Sequence, residues 1–125
     1  MIFGNTMLMS EKSLDYLWRK QEVTMGNIAN AETPNYKKKY ISFEEVFQKK
    51  LQTASNLKDS QSIRNAIKET DYQIYVRNDS TRVDQNNVSL DVEYSELSRT
   101  ALQYQYVLQS INSDITRLRT VIKGQ

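Results

Sequence analysis

The chain has 125 residues, enough for one domain, so its function comes from a single small unit or from many copies of one. It contains neither cysteine nor histidine, which removes disulfides, thiol nucleophiles, imidazole bases and the common zinc ligand sets; 3 glycines and 1 proline leave few shaped loops for other chemistry. The 17 basic and 15 acidic residues are mixed along the chain, and a net charge of +2 does not suit binding driven by phosphate neutralisation. No enzyme activity, cofactor, metal site, nucleic-acid partner or small-molecule substrate is therefore expected.

The first apolar run, Met7-Leu8-Met9, is followed closely by Glu11 and Asp15, so neither a secretory signal nor a membrane span is expected there. Met7, Leu14, Trp18, Met25 and Ile28, with Leu17 beside them and Gln21 interrupting, follow a helical period and predict a helix over 7–30. Pro34 lacks an amide hydrogen and drives Thr33 out of the helical region, which places a turn at Thr33 to Tyr36 within a segment spanning 31–40. Over 41–53, Ser42 with Glu45 three residues on reads as a capping box that opens a short helix from Phe43 to about Thr53.

The stretch 54–87 is rich in Ser, Asn, Asp and Gln and reads as a flexible segment. It has room for one hairpin, built from the alternating run Tyr72-Gln73-Ile74-Tyr75-Val76-Arg77, a turn at Asn78-Asp79-Ser80, and Thr81-Arg82-Val83. From 88 to 123 a heptad helix is expected. Leu90, Tyr94, Leu97, Ala101, Tyr104, Leu108, Ile111, Ile115, Leu118 and Ile122 recur at spacings of four and three, an unbroken seam. Asp91, Glu93 and Glu96 at its start and Arg117, Arg119 and Lys123 at its end suit the helix dipole, and Gly124 is placed to cap it.

The expected fold is all-α: long terminal helices paired as a coiled-coil-like hairpin, with a short middle helix and a flexible centre. A helix of this length extends about 50 Å, more than a compact domain of this size would span. The shorter first helix leaves part of the seam without an internal partner, which makes that part a docking surface. Periodicity alone does not separate a polymer subunit from a soluble coiled-coil adaptor or chaperone that binds an amphipathic helix.

The run Gly26-Asn27-Ile28-Ala29-Asn30-Ala31-Glu32-Thr33-Pro34-Asn35-Tyr36-Lys37 resembles the signature of the flagellar rod and hook proteins, Asn-Ile-Ala-Asn-x-x-Thr-Pro-Gly-Tyr followed by a basic residue. Within that family, the short length, the segment at Phe43 and the entry Val88-Ser89-Leu90-Asp91-Val92-Glu93 are most similar to the proximal rod proteins. Asn35 stands where glycine is usual, and asparagine is the next-best residue for a positive φ.

The resemblance implies a structural subunit of the bacterial basal-body rod, exported without a cleavable signal and built in through its terminal helices to transmit torque to the hook. Its implied partners are further copies, other rod proteins, the rod-to-ring adaptor, the membrane ring protein and the export apparatus. Asn27, Ile28, Ala29, Asn30, Thr33, Pro34 and Tyr36 are its expected assembly motif, the C-terminal stripe its assembly seam. The run Lys37-Lys38-Lys39 reads as a solvated edge, and Asp79 to Asp84 lacks the glycine and bidentate glutamate of a calcium loop.

Overall fold

The structure, a computed structural model, describes residues 4–43, 49, 60–80 and 82–124. In chain order these form helix α1 (Asn5–Ala29), strand β1 (Lys39–Ser42), helix α2 (Ser60–Glu69), strand β2 (Gln73–Val76) and helix α3 (Leu90–Lys123). The chain is mostly helical, with α1 and α3 packed together and a two-stranded sheet between them in sequence.

Helix α3 runs 34 residues without glycine or proline and ends where Gly124 takes the left-handed conformation, φ 69°, as the sequence led us to expect. Along α1 and α3, Asn27 meets Glu93, Lys20 meets Glu96 and Trp18 meets Tyr104, so the helices run antiparallel. With 34 residues against 25, α3 outlasts α1, and Val121 and Ile122 at its far end are exposed. No helix among the described residues is long and apolar enough to cross a membrane.

Among the described residues the apolar core is small. Tyr16 and Leu17 of α1 are buried with Phe43, whose ring stacks on Tyr16 at 4.6 Å, and Ile41, Tyr72, Tyr104 and Val107 close around them. The α1 stripe expected from periodicity does not coincide with what is buried. Tyr16, Leu17, Thr24 and Asn27 are buried, whereas Trp18 and Met25 remain 56% and 50% exposed. The reason is that α1 is covered from two directions, by α3 and by β1 with α2, so its buried arc is rotated toward the crevice between them.

Two further expectations are corrected. The strand at Gln73–Val76 exists, but its partner is β1, not Thr81 to Val83: Lys39 faces Val76, Tyr40 faces Tyr75, Ile41 faces Ile74 and Ser42 faces Gln73, antiparallel. Arg77 N donates to Lys38 O at 2.8 Å and prolongs the ladder, while Arg82 to Gln85 is occupied by a turn closed by Gln85 N donating to Arg82 O at 3.1 Å. The stretch read as flexible also holds α2, because Ile63, Ala66 and Ile67 share one face at helical spacing and that face packs on α1. Lys12 Nζ of α1 reaches Thr70 O just beyond α2, at 3.2 Å, and Asn5 Nδ2 reaches Ser60 O at its start, also at 3.2 Å. The helix expected from Phe43 to Thr53 lies outside the described residues except at Phe43 and Lys49.

Because Phe43 links strand and helices through a single stacked ring, Phe43→Ala is expected to lower unfolding free energy by about 3 kcal/mol. Leu102→Ala, on an exposed face of α3, is expected to change it by less than about 0.5 kcal/mol. Urea unfolding followed by circular dichroism checks both.

Candidate assembly site

Asn27 lies two turns on from Lys20 and points into the crevice where α1, β1 and the first turn of α3 meet, and it is only 1% exposed. A buried primary amide carries two donors and an acceptor with two lone pairs, all of which need partners. Here they find them. Nδ2 donates to Lys39 O at 2.8 Å and to Glu93 Oε2 at 3.2 Å, and Oδ1 accepts from Lys39 N at 3.0 Å and from Tyr36 Oη at 3.1 Å. One side chain thus ties the end of α1 to the strand after the corner and to the entry of α3.

Glu93 completes the joint. It is buried, and its Oε1 is met by Lys38 Nζ at 2.7 Å as an ion pair. Lys37 donates from Nζ to Gln85 O. Of the three lysines read as a solvated edge, Lys38 therefore reaches the buried Glu93, Lys37 braces the corner from its surface, and Lys39 is exposed. The Tyr36 phenol is pushed above the ordinary tyrosine value by burial and, secondarily, by the negative charge of Glu93, so it stays protonated and donating at neutral pH.

The rest of the motif builds the turn. Asn30 Nδ2 donates to Gly26 O at 2.8 Å, capping a carbonyl at the end of α1, and its Oδ1 accepts from Thr33 Oγ1 at 3.2 Å. Tyr36 N closes on Thr33 O at 3.3 Å, and Asn35 adopts φ 63°, the positive angle for which asparagine substitutes for glycine. Ala31 is buried, Ile28 is half-buried, and Ala29 and Pro34 are exposed at the rim.

Sequence reasoning missed the pair that receives this corner. Asn86 is fully buried, its Nδ2 donating to Asn30 O and Thr33 O, both at 2.9 Å, and its Oδ1 accepting from Val88 N at 2.8 Å. Asn87 bridges the open end of the sheet, accepting from Lys38 N at 2.5 Å and donating to Arg77 O at 2.6 Å. The only local signal was the Asn-Asn doublet directly before a helix, since side chains of this type serve backbone groups at such junctions.

The C-terminal seam is divided. Leu97, Ala101, Tyr104, Ile111, Ile115 and Leu118 are half-buried, whereas Leu90, Tyr94, Leu108 and Ile122 are exposed. The positions buried most deeply on α3 are Glu93 and Thr100, one step to the side of Tyr94 and Ala101. Hairpin packing therefore rotates α3 so that polar residues with partners of their own, such as Thr100 donating to Glu96 O at 2.7 Å, turn inward. The flank with Tyr94 and Leu108 is left open. Trp18 meets Tyr104 at 6.3 Å, which sets the exposed α1 stripe of Trp18 and Met25 beside this flank.

No family model matches the chain. It is 30% identical over 125 residues to the flagellar basal body rod protein FlgB of Bacillus subtilis (strain 168), covering 98% of this chain and 97% of that protein. Against FlgB of Aquifex aeolicus (strain VF5) it is 33% identical over 116 residues, 92% of this chain and 90% of the other. Against FlgB of Escherichia coli (strain K12) it is 27% identical over 127 residues, covering 91% and 90%.

Removing the Asn27 amide leaves the Lys39 backbone and a buried carboxylate short of partners, so Asn27→Ala is expected to cost about 3 kcal/mol. Tyr36→Phe, which removes one neutral bond, should cost about 1 kcal/mol. The folded-state pKa of Tyr36 is raised, so its contribution is fully present below the unfolded value near 10 and is lost as pH rises through the folded value. The stability gap between wild type and Tyr36→Phe should accordingly hold constant to about pH 10 and narrow above it, measured by urea unfolding across pH.

Proposed function

Since this chain belongs to the FlgB family of flagellar basal body rod proteins, we propose that it joins the rod through the open flank of its α1 and α3 hairpin and there carries torque from the membrane ring to the hook. The coarse part of this, a structural subunit of the basal-body rod, follows from the family. The observation that carries the finer part is the divided seam: a helix with an uninterrupted apolar repeat, of which Leu90, Tyr94, Leu108 and Ile122 are left exposed by the chain's own packing. Exposed apolar side chains repeated along one flank of a helix are surface that a protein partner would cover.

The asparagine-braced corner has a complementary task. It fixes the angle at which the chain leaves α1, so the β1 and β2 ribbon stands in one orientation relative to the helices. A subunit that bears torque needs such a joint, because a loose corner would let the ribbon turn on the helices under load. The motif residues from Asn27 to Tyr36 thus act in assembly by setting shape rather than by direct contact. The partners are further copies, other rod proteins, the rod-to-ring adaptor and the membrane ring protein, reached after passage through the flagellar export apparatus.

Leu108→Asp puts a charge on the open flank, where the free subunit tolerates it and a packed interface does not. Cells whose chromosomal copy is replaced by this variant are expected to make a normally folded subunit, by circular dichroism of the purified protein, yet to lack rods in isolated basal bodies and fail to swim. Ile115→Asp, half-buried in the hairpin, should abolish rods as well. Complete, rotating flagella in the Leu108→Asp strain would remove the flank from assembly.

A further inference from the structure

Helix α3 presents a second exposed face that the hairpin does not use. On the side turned away from α1, Leu102 and Tyr106 lie one turn apart and are 68% and 73% exposed. Arg99 lies one turn before Leu102, and Arg117 lies three turns after Tyr106; both are largely exposed. The stripe from Val92 to Arg117 through these residues bears two arginines and no carboxylate.

The front face has the opposite character. Around Trp18 and Met25, Glu11, Asp15 and Glu22 fall at helical spacings from Trp18 and are exposed. Each face therefore carries a large aromatic and an aliphatic side chain, one within an acidic border and the other within a basic one. The ion pairs that now hold some of these charges, Arg19 with Glu22 at 2.5 Å, Arg99 with Glu96 at 3.7 Å and Arg117 with Asp114, are surface pairs within one helix. Such pairs are weak and exchange partners at little cost.

We infer that the front face of one copy, Trp18 and Met25 within Glu11, Asp15 and Glu22, docks on the back face of a second copy, Leu102 and Tyr106 between Arg99 and Arg117. The inference rests on the rod reading above and adds which surfaces of two copies meet. Charge selects this arrangement: front against front would oppose carboxylates, and back against back would oppose arginines, each a costly like-charge juxtaposition. Two unlike faces that fit each other make a heterologous contact, which leaves one face of each kind free at the ends of any pair and so extends to further copies instead of closing a dimer.

The absence of cysteine makes this testable by cross-linking in the whole chain without background. Met25→Cys, within the front face, and Gln109→Cys, about one turn beyond Tyr106 on the back face, would be expressed together in one chain and separately, and swimming cells treated with a flexible bis-maleimide. The chain with both should give a ladder of dimers and higher multiples, and each single variant monomer only. Dimers from Met25→Cys alone, or no ladder in cells that swim normally, would overturn the two-face contact while leaving the rod reading intact. The rod reading itself fails by a different result, intact rods after deletion of the gene.

Charge reversal gives a second, independent measurement. Glu11→Lys with Asp15→Lys reverses the front, and Arg99→Glu with Arg117→Glu reverses the back. Either reversal alone should abolish swimming, and a chain carrying both should recover most of it, because every copy then meets a partner of restored complementarity. A chain with both reversals that remains as defective as the singles would show that the faces meet proteins other than this one and would overturn the inference.

Discussion

The structure depends on one buried amide. Asn27 sits where three elements converge, and the corner holds because all four hydrogen-bonding positions of its side chain are used. A hydrophobic residue there would fill the same space but leave the Lys39 backbone groups and the Glu93 carboxylate without partners, a desolvation cost that packing does not return. Glu93 is acceptable inside only because Asn27 and Lys38 meet it, and Lys38 is held near Glu93 because Asn87 grips its backbone amide. The junction is a connected polar network, and networks of this kind specify one geometry through mutual satisfaction rather than through area buried.

That network explains how the described residues, with so small an apolar core among them, maintain a defined shape. Tyr16, Leu17 and Phe43 supply the buried apolar centre, while Asn86 and Asn27 between them engage the turn, the sheet and the helix entry. The allocation leaves apolar residues over for the outside. Trp18, Met25, Tyr94 and Leu108 are exposed while Thr24, Asn27, Glu93 and Thr100 take the buried positions of α1 and α3, and Leu102 and Tyr106 lie on the side of α3 turned away from α1. For a structural subunit of the rod this is a coherent division: polar bonds hold the subunit, and exposed apolar faces remain available.

Much of this was legible in the residues. The turn at Thr33 to Tyr36 follows from proline, the positive φ at Asn35 from its place in the signature, and the length and capping of α3 from an unbroken repeat that ends at Gly124. The partner of β2 was not legible, because hairpin reasoning favours the nearest strand in sequence, whereas the ladder here joins segments on either side of α2. Helix α2 was obscured by its polar surroundings; its three apolar residues are too few to mark a helix until α1 is there to receive them.

By itself the sequence determined the family, the two long helices, the corner between them and the existence of an apolar repeat in excess of what one chain can cover, since each rests on local spacing or on a contiguous motif. Only the tertiary structure decided which side of each helix is inside. A stripe of period three and four fixes a direction on a helix to within a quarter turn or so, and α1 is covered from two directions at once. The balance between burying Trp18 and Tyr94 or burying Asn27 and Glu93 is set by partners on Lys38, Lys39 and Asn86, far apart in the chain, and no local pattern encodes that choice.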